Sequence, residues 1–214
     1  MSSVSIPTAA ATLRGDLTLV PQARALVVFA HGSGSGRLSP RNQMVAQQLN
    51  AGGCSTLLFD LLTEREEARD AATRALRFDI PFLATRLIET TAWIASRPET
   101  QELRIGYFGA STGAAAALVA AAIRPLLVGA IVSRGGRPDL AGDYLRRVDA
   151  PTLLIVGGAD LEVLRLTRPA LADLRSPVKS LEIIPGATHL FEEPGALERV
   201  AQLALDWFRR YLGG

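Results

Sequence analysis

Apolar residues along the chain fall into two alternating patterns. Short runs apolar on successive positions occur at Leu26 to Ala30, Thr56 to Asp60, Leu103 to Phe108, Leu126 to Val132, Thr152 to Val156 and Ser180 to Ile184. Such runs suit strands covered by helices on both faces, so they predict six strands of a mostly parallel sheet. Between them, Pro40 to Ala51, Pro81 to Ala95, Gly113 to Ile123, Leu161 to Leu174 and Ala196 to Leu212 repeat apolar residues three and four apart, the period of a helix with one buried face. Thr12 to Val20 reads as an edge strand paired antiparallel with Val4 to Ile6. The strongly charged stretch Glu64 to Arg77 reads as a helical insertion on the surface. The alternation predicts a three-layer, doubly wound α/β fold, with loops at the carboxyl ends of the strands forming the site.

Length and composition narrow this picture. The 214 residues, 48% hydrophobic and 21% charged, fit one ordered domain spanning 1–214. The net charge of +2 comes from dispersed arginines, and Lys179 is the sole lysine. Without a basic cluster, nucleic acid is not an expected partner. Pro7, Arg14 and Asp16 interrupt the first twenty residues, so neither a secretory leader nor a membrane span is expected there. The single cysteine, Cys54, permits no internal disulfide, and the expected compartment is the cytoplasm.

Candidate chemistry concentrates at strand ends. Gly109-Ala110-Ser111-Thr112-Gly113 follows one predicted strand and opens a helix, the context in which a glycine-flanked serine is held on a sharp turn as a nucleophile. The competing reading is a helix N-cap serine in a glycine-rich turn. A serine hydroxyl needs a base to accept its proton. Of two histidines, His189 lies after the final predicted strand, where the last member of a Ser, acid, His order falls, although an isolated loop histidine can also be a solvated surface group. Asp160 ends the loop leaving the penultimate strand and is the candidate partner for the imidazole. It could equally cap the helix starting at Leu161, and Glu162 is its nearest substitute. Oxyanion stabilisation would come from the backbone amides of Thr112 and Ser33, the latter in His31-Gly32-Ser33-Gly34-Ser35-Gly36. That loop could instead cradle a phosphate, but its spacing fits neither a dinucleotide fingerprint nor a P-loop. His31 would orient the loop.

Together, the His31-Gly32 loop, the Ser111 pentapeptide, Gly157-Gly158-Ala159-Asp160 and Gly186-Ala187-Thr188-His189 resemble the α/β-hydrolase superfamily over nearly the whole chain. The short length and lack of an insertion after Ser133 resemble its capless, dienelactone-hydrolase-like branch. That resemblance implies a minimal hydrolase of esters or lactones, with serine here where characterised dienelactone hydrolases use cysteine. The expected enzyme is a serine hydrolase acting through an acyl-enzyme on a small ester-like molecule, with no metal, no cofactor and no membrane partner. Acyl transfer or thioester cleavage would share every motif, and a non-catalytic ligand-binding module would share the fold. Arg37, Arg134 and Arg137 follow strand ends and are candidates to bind an anionic substrate, or else to pair with acids such as Asp139 and Asp143.

Overall fold

The computed structural model describes residues 1–213. Eight strands form one sheet: β1 (Ser2–Pro7), β2 (Thr12–Thr18), β3 (Ala25–Ala30), β4 (Ser55–Phe59), β5 (Arg104–Ala110), β6 (Ala130–Arg134), β7 (Thr152–Gly157) and β8 (Lys179–Ile184). Their spatial order is β1-β2-β4-β3-β5-β6-β7-β8, parallel from β4 through β8, with β2 antiparallel to both β1 and β4. The helices are α1 (Pro40–Ala51), α2 (Glu64–Thr73), α3 (Ile80–Ala95), α4 (Thr112–Ile123), α5 (Leu161–Asp173) and α6 (Ala196–Leu212). The doubly wound architecture is the one the apolar pattern predicts.

Two apolar layers sandwich the sheet. One joins Val45, Leu49, Val200, Ala204 and Phe208 of α1 and α6 to Val27, Phe108 and Val132. The other joins α3, α4 and α5, through residues such as Leu87, Leu118 and Ala170, to Val28, Tyr107 and Ile131. Alternate residues of each strand therefore serve opposite layers, as the pleat requires. Because α1 follows β3 onto one face while α4 follows β5 onto the other, the connections diverge between these adjacent strands. Their carboxyl ends leave a crevice there, where α/β sheets hold their sites.

Three details differ from the sequence expectation. Leu126 is 98% exposed, and β6 starts only at Ala130 and runs on to Arg134. The strand is shifted because its end is a buried polar pair, Ser133 and Arg134, that hydrophobicity does not reveal. β2 pairs antiparallel with β1 as expected, but it is β1 that forms the edge. The segment after β6 contains 3-10 turns across Pro138–Arg147 that pack on α4 and α5. Among the described residues no helix is long and apolar enough to cross a membrane.

Candidate active site

Ser111 sits between β5 and α4 with φ 49° and ψ −122°, a conformation that costs a non-glycine residue free energy. Its flanking glycines follow from crowding. A Cβ on Gly113 would lie 2.1 Å from the Ala30 carbonyl oxygen, and one on Gly109 would lie 2.4 Å from Ala114 Cα. Ser111 occupies the N-cap position of α4 but makes no capping hydrogen bond with its side chain, unlike the ordinary cap serine weighed above. The Ala114 to Ala117 run is wholly buried, which lets α4 lie close to the sheet.

The loops leaving β7 and β8 are fastened together by backbone bonds, Gly158 N–H to Ile184 O at 2.8 Å and Ala159 N–H to Ala187 O at 2.9 Å. This places Asp160 against His189, whose Nδ1–H donates to Asp160 Oδ2 at 2.7 Å. The other oxygen, Oδ1, accepts from Val163 N–H at 3.3 Å and caps α5. Both roles weighed for Asp160 are thus met by one side chain. Glu162 lies in the first turn of α5, and the carboxylate bonded to the imidazole is that of Asp160. The His189 ring lies over Gly135, where a Cβ would be 3.6 Å from its Cε1. The preceding residue, Arg134, accepts the Ser111 N–H with its carbonyl at 3.4 Å. Within the His189 loop, Glu193 Oε1 accepts the Thr188 N–H at 3.0 Å and braces the turn.

On the other side of Ser111, Gly32 packs so closely that a Cβ there would be 3.0 Å from Ser111 Cβ. The hydroxyls of Ser33 and Thr112 lie 3.0 Å apart, which brings their two backbones together. Thr112 opens α4, where the first amides have no intrahelical acceptor. Among the described residues the Ser33 amide makes no turn bond to a backbone carbonyl. His31 is buried beneath this loop: Nε2 accepts the Leu61 N–H at 2.9 Å, so Nδ1 carries the proton and donates to Gly32 O at 3.0 Å. Burial holds its pKa below the ordinary histidine value, and the ring is a neutral brace.

A cavity of about 640 Å³ opens from Gly32, Ser33 and Thr112 toward the α2 segment. Its walls include acids and bases that the periodicity of α2 did not single out. Asp70 is buried, accepts the Leu76 N–H at 2.7 Å and pairs with Arg77. Glu67 has its carboxyl pushed up by partial burial and by the neighbouring Asp60 and Glu64. Its only sequence signal was charge density, which surface helices share.

The three candidate arginines separate. Arg37 is held by Asp60 and, at 3.3 Å, by Asp16. Arg137 makes a two-pronged pair with Asp139 at 2.9 and 2.8 Å, which raises its pKa. Arg134 has no such carboxylate. Among the described residues no group of three or more histidines, cysteines and acids is placed to hold a metal ion.

Residues 16–212 match the model of a family described as the dienelactone hydrolase family. A dienelactone hydrolase from Anabaena variabilis ATCC 29413, known as a crystal structure, is 56% identical and superposes with a TM-score of 0.96 over 99% of this chain and 97% of that one. Est1E from Butyrivibrio proteoclasticus, 15% identical, shares the fold across 100% of both chains at a TM-score of 0.82. Two Mycobacterium tuberculosis proteins, provisionally named phosphoribosyl transferases, are 58% identical over 200 residues, 94% of this chain. The chain spans 44% of the length of those relatives.

Proposed function

The chain belongs to the dienelactone hydrolase family, and on that premise we propose that it is a serine hydrolase of carboxylic esters or lactones in which Ser111 is the nucleophile, His189 the general base and Asp160 the imidazole's orienting acid. The observation that carries this reading is the 2.7 Å bond from His189 to Asp160 beside a serine held at positive φ. In acylation, Ser111 Oγ bonds to the substrate carbonyl carbon as its proton passes to His189 Nε2. The resulting oxyanion is met by the amides of Ser33 and Thr112, aimed in advance at the developing charge. His189 then returns the proton to the departing alcohol, and water attacks the acyl-enzyme by the same exchange. Asp160 stabilises the transient imidazolium and fixes its tautomer.

Labelling the protein with a fluorophosphonate and mapping the adduct tests this directly. The adduct is expected on Ser111, with none in Ser111→Ala; an adduct elsewhere, or no adduct, defeats the proposal. Acyl transfer to an alcohol, amine or thiol uses the same groups, and product analysis in the presence of those acceptors separates it from hydrolysis.

A further inference from the structure

Ser111 and His189 are carried by loops of different strands, β5 and β8, so their spacing depends on the backbone that touches both. That backbone is the end of β6. Arg134 O accepts the Ser111 N–H at 3.4 Å, and the Ser111 carbonyl accepts the Arg137 N–H at 3.1 Å, which ties the serine to both ends of the segment Arg134 to Arg137. Within the segment, the Gly135 N–H donates to Ile155 O of β7 at 2.8 Å. Gly135 is therefore fixed from the nucleophile side and from the strand that leads to Asp160.

The general base rests on this fixed point. A Cβ on Gly135 would stand 3.1 Å from the His189 carbonyl oxygen, 3.2 Å from Phe191 Cε2 and 3.6 Å from His189 Cε1. With glycine there, at φ +50°, the His189 turn closes onto bare backbone. Phe191 keeps it closed. Its N–H donates to Thr188 O at 3.2 Å, making a turn with His189 and Leu190 at its centre. Its own φ is +57°, a region that a bulky residue enters only when its surroundings impose it. The imposing contacts are made by the ring, since the residue is 1% exposed. One edge of the ring meets Gly135, and the Arg134 guanidinium lies 5.9 Å from its centre, within cation–π range.

We propose that Gly135 and Phe191 are positioning residues, a spacer and a clamp that together set where His189 stands relative to Ser111. This rests on the serine-hydrolase reading and goes beyond it, since neither side chain carries a group that reacts. A bare-backbone spacer means that one added methyl must move the His189 turn by a few tenths of an ångström. Rates between placed groups fall steeply with displacements on that scale.

Gly142 supplies the control for the test. It has φ +53° in the same connection between β6 and β7, but among the described residues no atom would come within 4 Å of a Cβ there. Gly135→Ala and Gly142→Ala thus both strain a left-handed backbone, and only the first presses on His189; both should lower Tm. Assayed below Tm and counted per Ser111 site titrated with a fluorophosphonate, Gly142→Ala should keep kcat within about twofold of the parent protein, whereas Gly135→Ala should lose about tenfold or more with KM nearly unchanged. Phe191→Leu, which stays apolar but withdraws the ring from Gly135, should lose kcat in the same way and serves if Gly135→Ala does not fold. Proton NMR reads the imidazole directly, because the Nδ1 proton shared with Asp160 resonates far downfield and is identified by its loss in Asp160→Asn. It should shift in Gly135→Ala and in Phe191→Leu and stay in place in Gly142→Ala. Parent-like kcat per titrated site in Gly135→Ala or Phe191→Leu, or an unmoved imidazole proton in either, would overturn the proposal. The NMR arm needs no turnover, so a parent protein that fails to label at Ser111 defeats the serine-hydrolase reading while the spacer is still decided.

Discussion

At the scale of single residues, Asp160 shows why a motif and a structural role need not compete. Its two oxygens face different groups, Oδ2 toward His189 and Oδ1 toward the Val163 amide. Substitution can separate them. Asn caps a helix about as well as Asp but offers no carboxylate to the imidazole. Asp160→Asn should therefore keep the Tm of the parent protein while ester turnover falls by about 10⁴, whereas Asp160→Ala should lose similar activity and also about 1 kcal/mol of stability. Equal Tm losses in both variants, measured by thermal unfolding, would show that the cap is not formed through this carboxylate. The candidates Ser111, Asp160 and His189 could be named from the sequence because a glycine-flanked serine, a loop aspartate and a loop histidine each leave a local trace at a strand end. Asp70 and Arg77 left none, since their importance lies in what they face across the fold, and no local period encodes that.

At the scale of elements, the β3 loop and the β5 elbow depend on each other. Gly113 is pressed on the carbonyls of Ala30 and His31, so a methyl there would push apart the two loops that meet at Ser111. Gly113→Ala should lower stability by about 1–3 kcal/mol and abolish ester turnover together, readable from denaturant unfolding beside an activity assay. His31 makes the same junction sensitive to acid. Its folded pKa lies below its unfolded value, so the unfolded chain binds a proton that the folded chain refuses. Stability from this ring is full above the unfolded value near 6.5 and is lost as pH falls below it toward the folded value, by at most about 1.4 kcal/mol per pH unit. Unfolding free energies measured from pH 7.5 down to 5 should show this slope, and His31→Gln should flatten it. An unchanged slope would assign the acid sensitivity to other groups. The strands were readable where apolar runs fill both layers, as in β3 and β7, whose residues are buried throughout. β6 was misplaced because its buried end is polar, and the 3-10 turns of Pro138–Arg147 carry no sustained period to read.

At the scale of the whole molecule, the two ends of the sheet do different work. The carboxyl ends of β3, β5, β7 and β8 carry the loops of the candidate site, while the opposite end is closed by the last turns of α6. There, Phe208 is fully buried and lies against Gly106 at the start of β5, so closely that a Cβ on that glycine would come 2.7 Å from its ring. Leu212 fills the corresponding place beside Gly129 at the start of β6. These contacts fix how α6 crosses the central strands, yet they lie a full strand length from Ser111. Removing the ring should open a cavity and cost about 3–5 kcal/mol. Because substitutions far apart with no shared partners act independently, that loss should not reach the reacting groups while the fold persists. Phe208→Ala is therefore expected to unfold at a much lower denaturant concentration and, assayed well below its Tm, to hydrolyse esters with kcat and KM within about twofold of the parent protein. A fall in kcat at a temperature where the variant is fully folded would show that the α6 end of the sheet and the Ser111 end are coupled through β5.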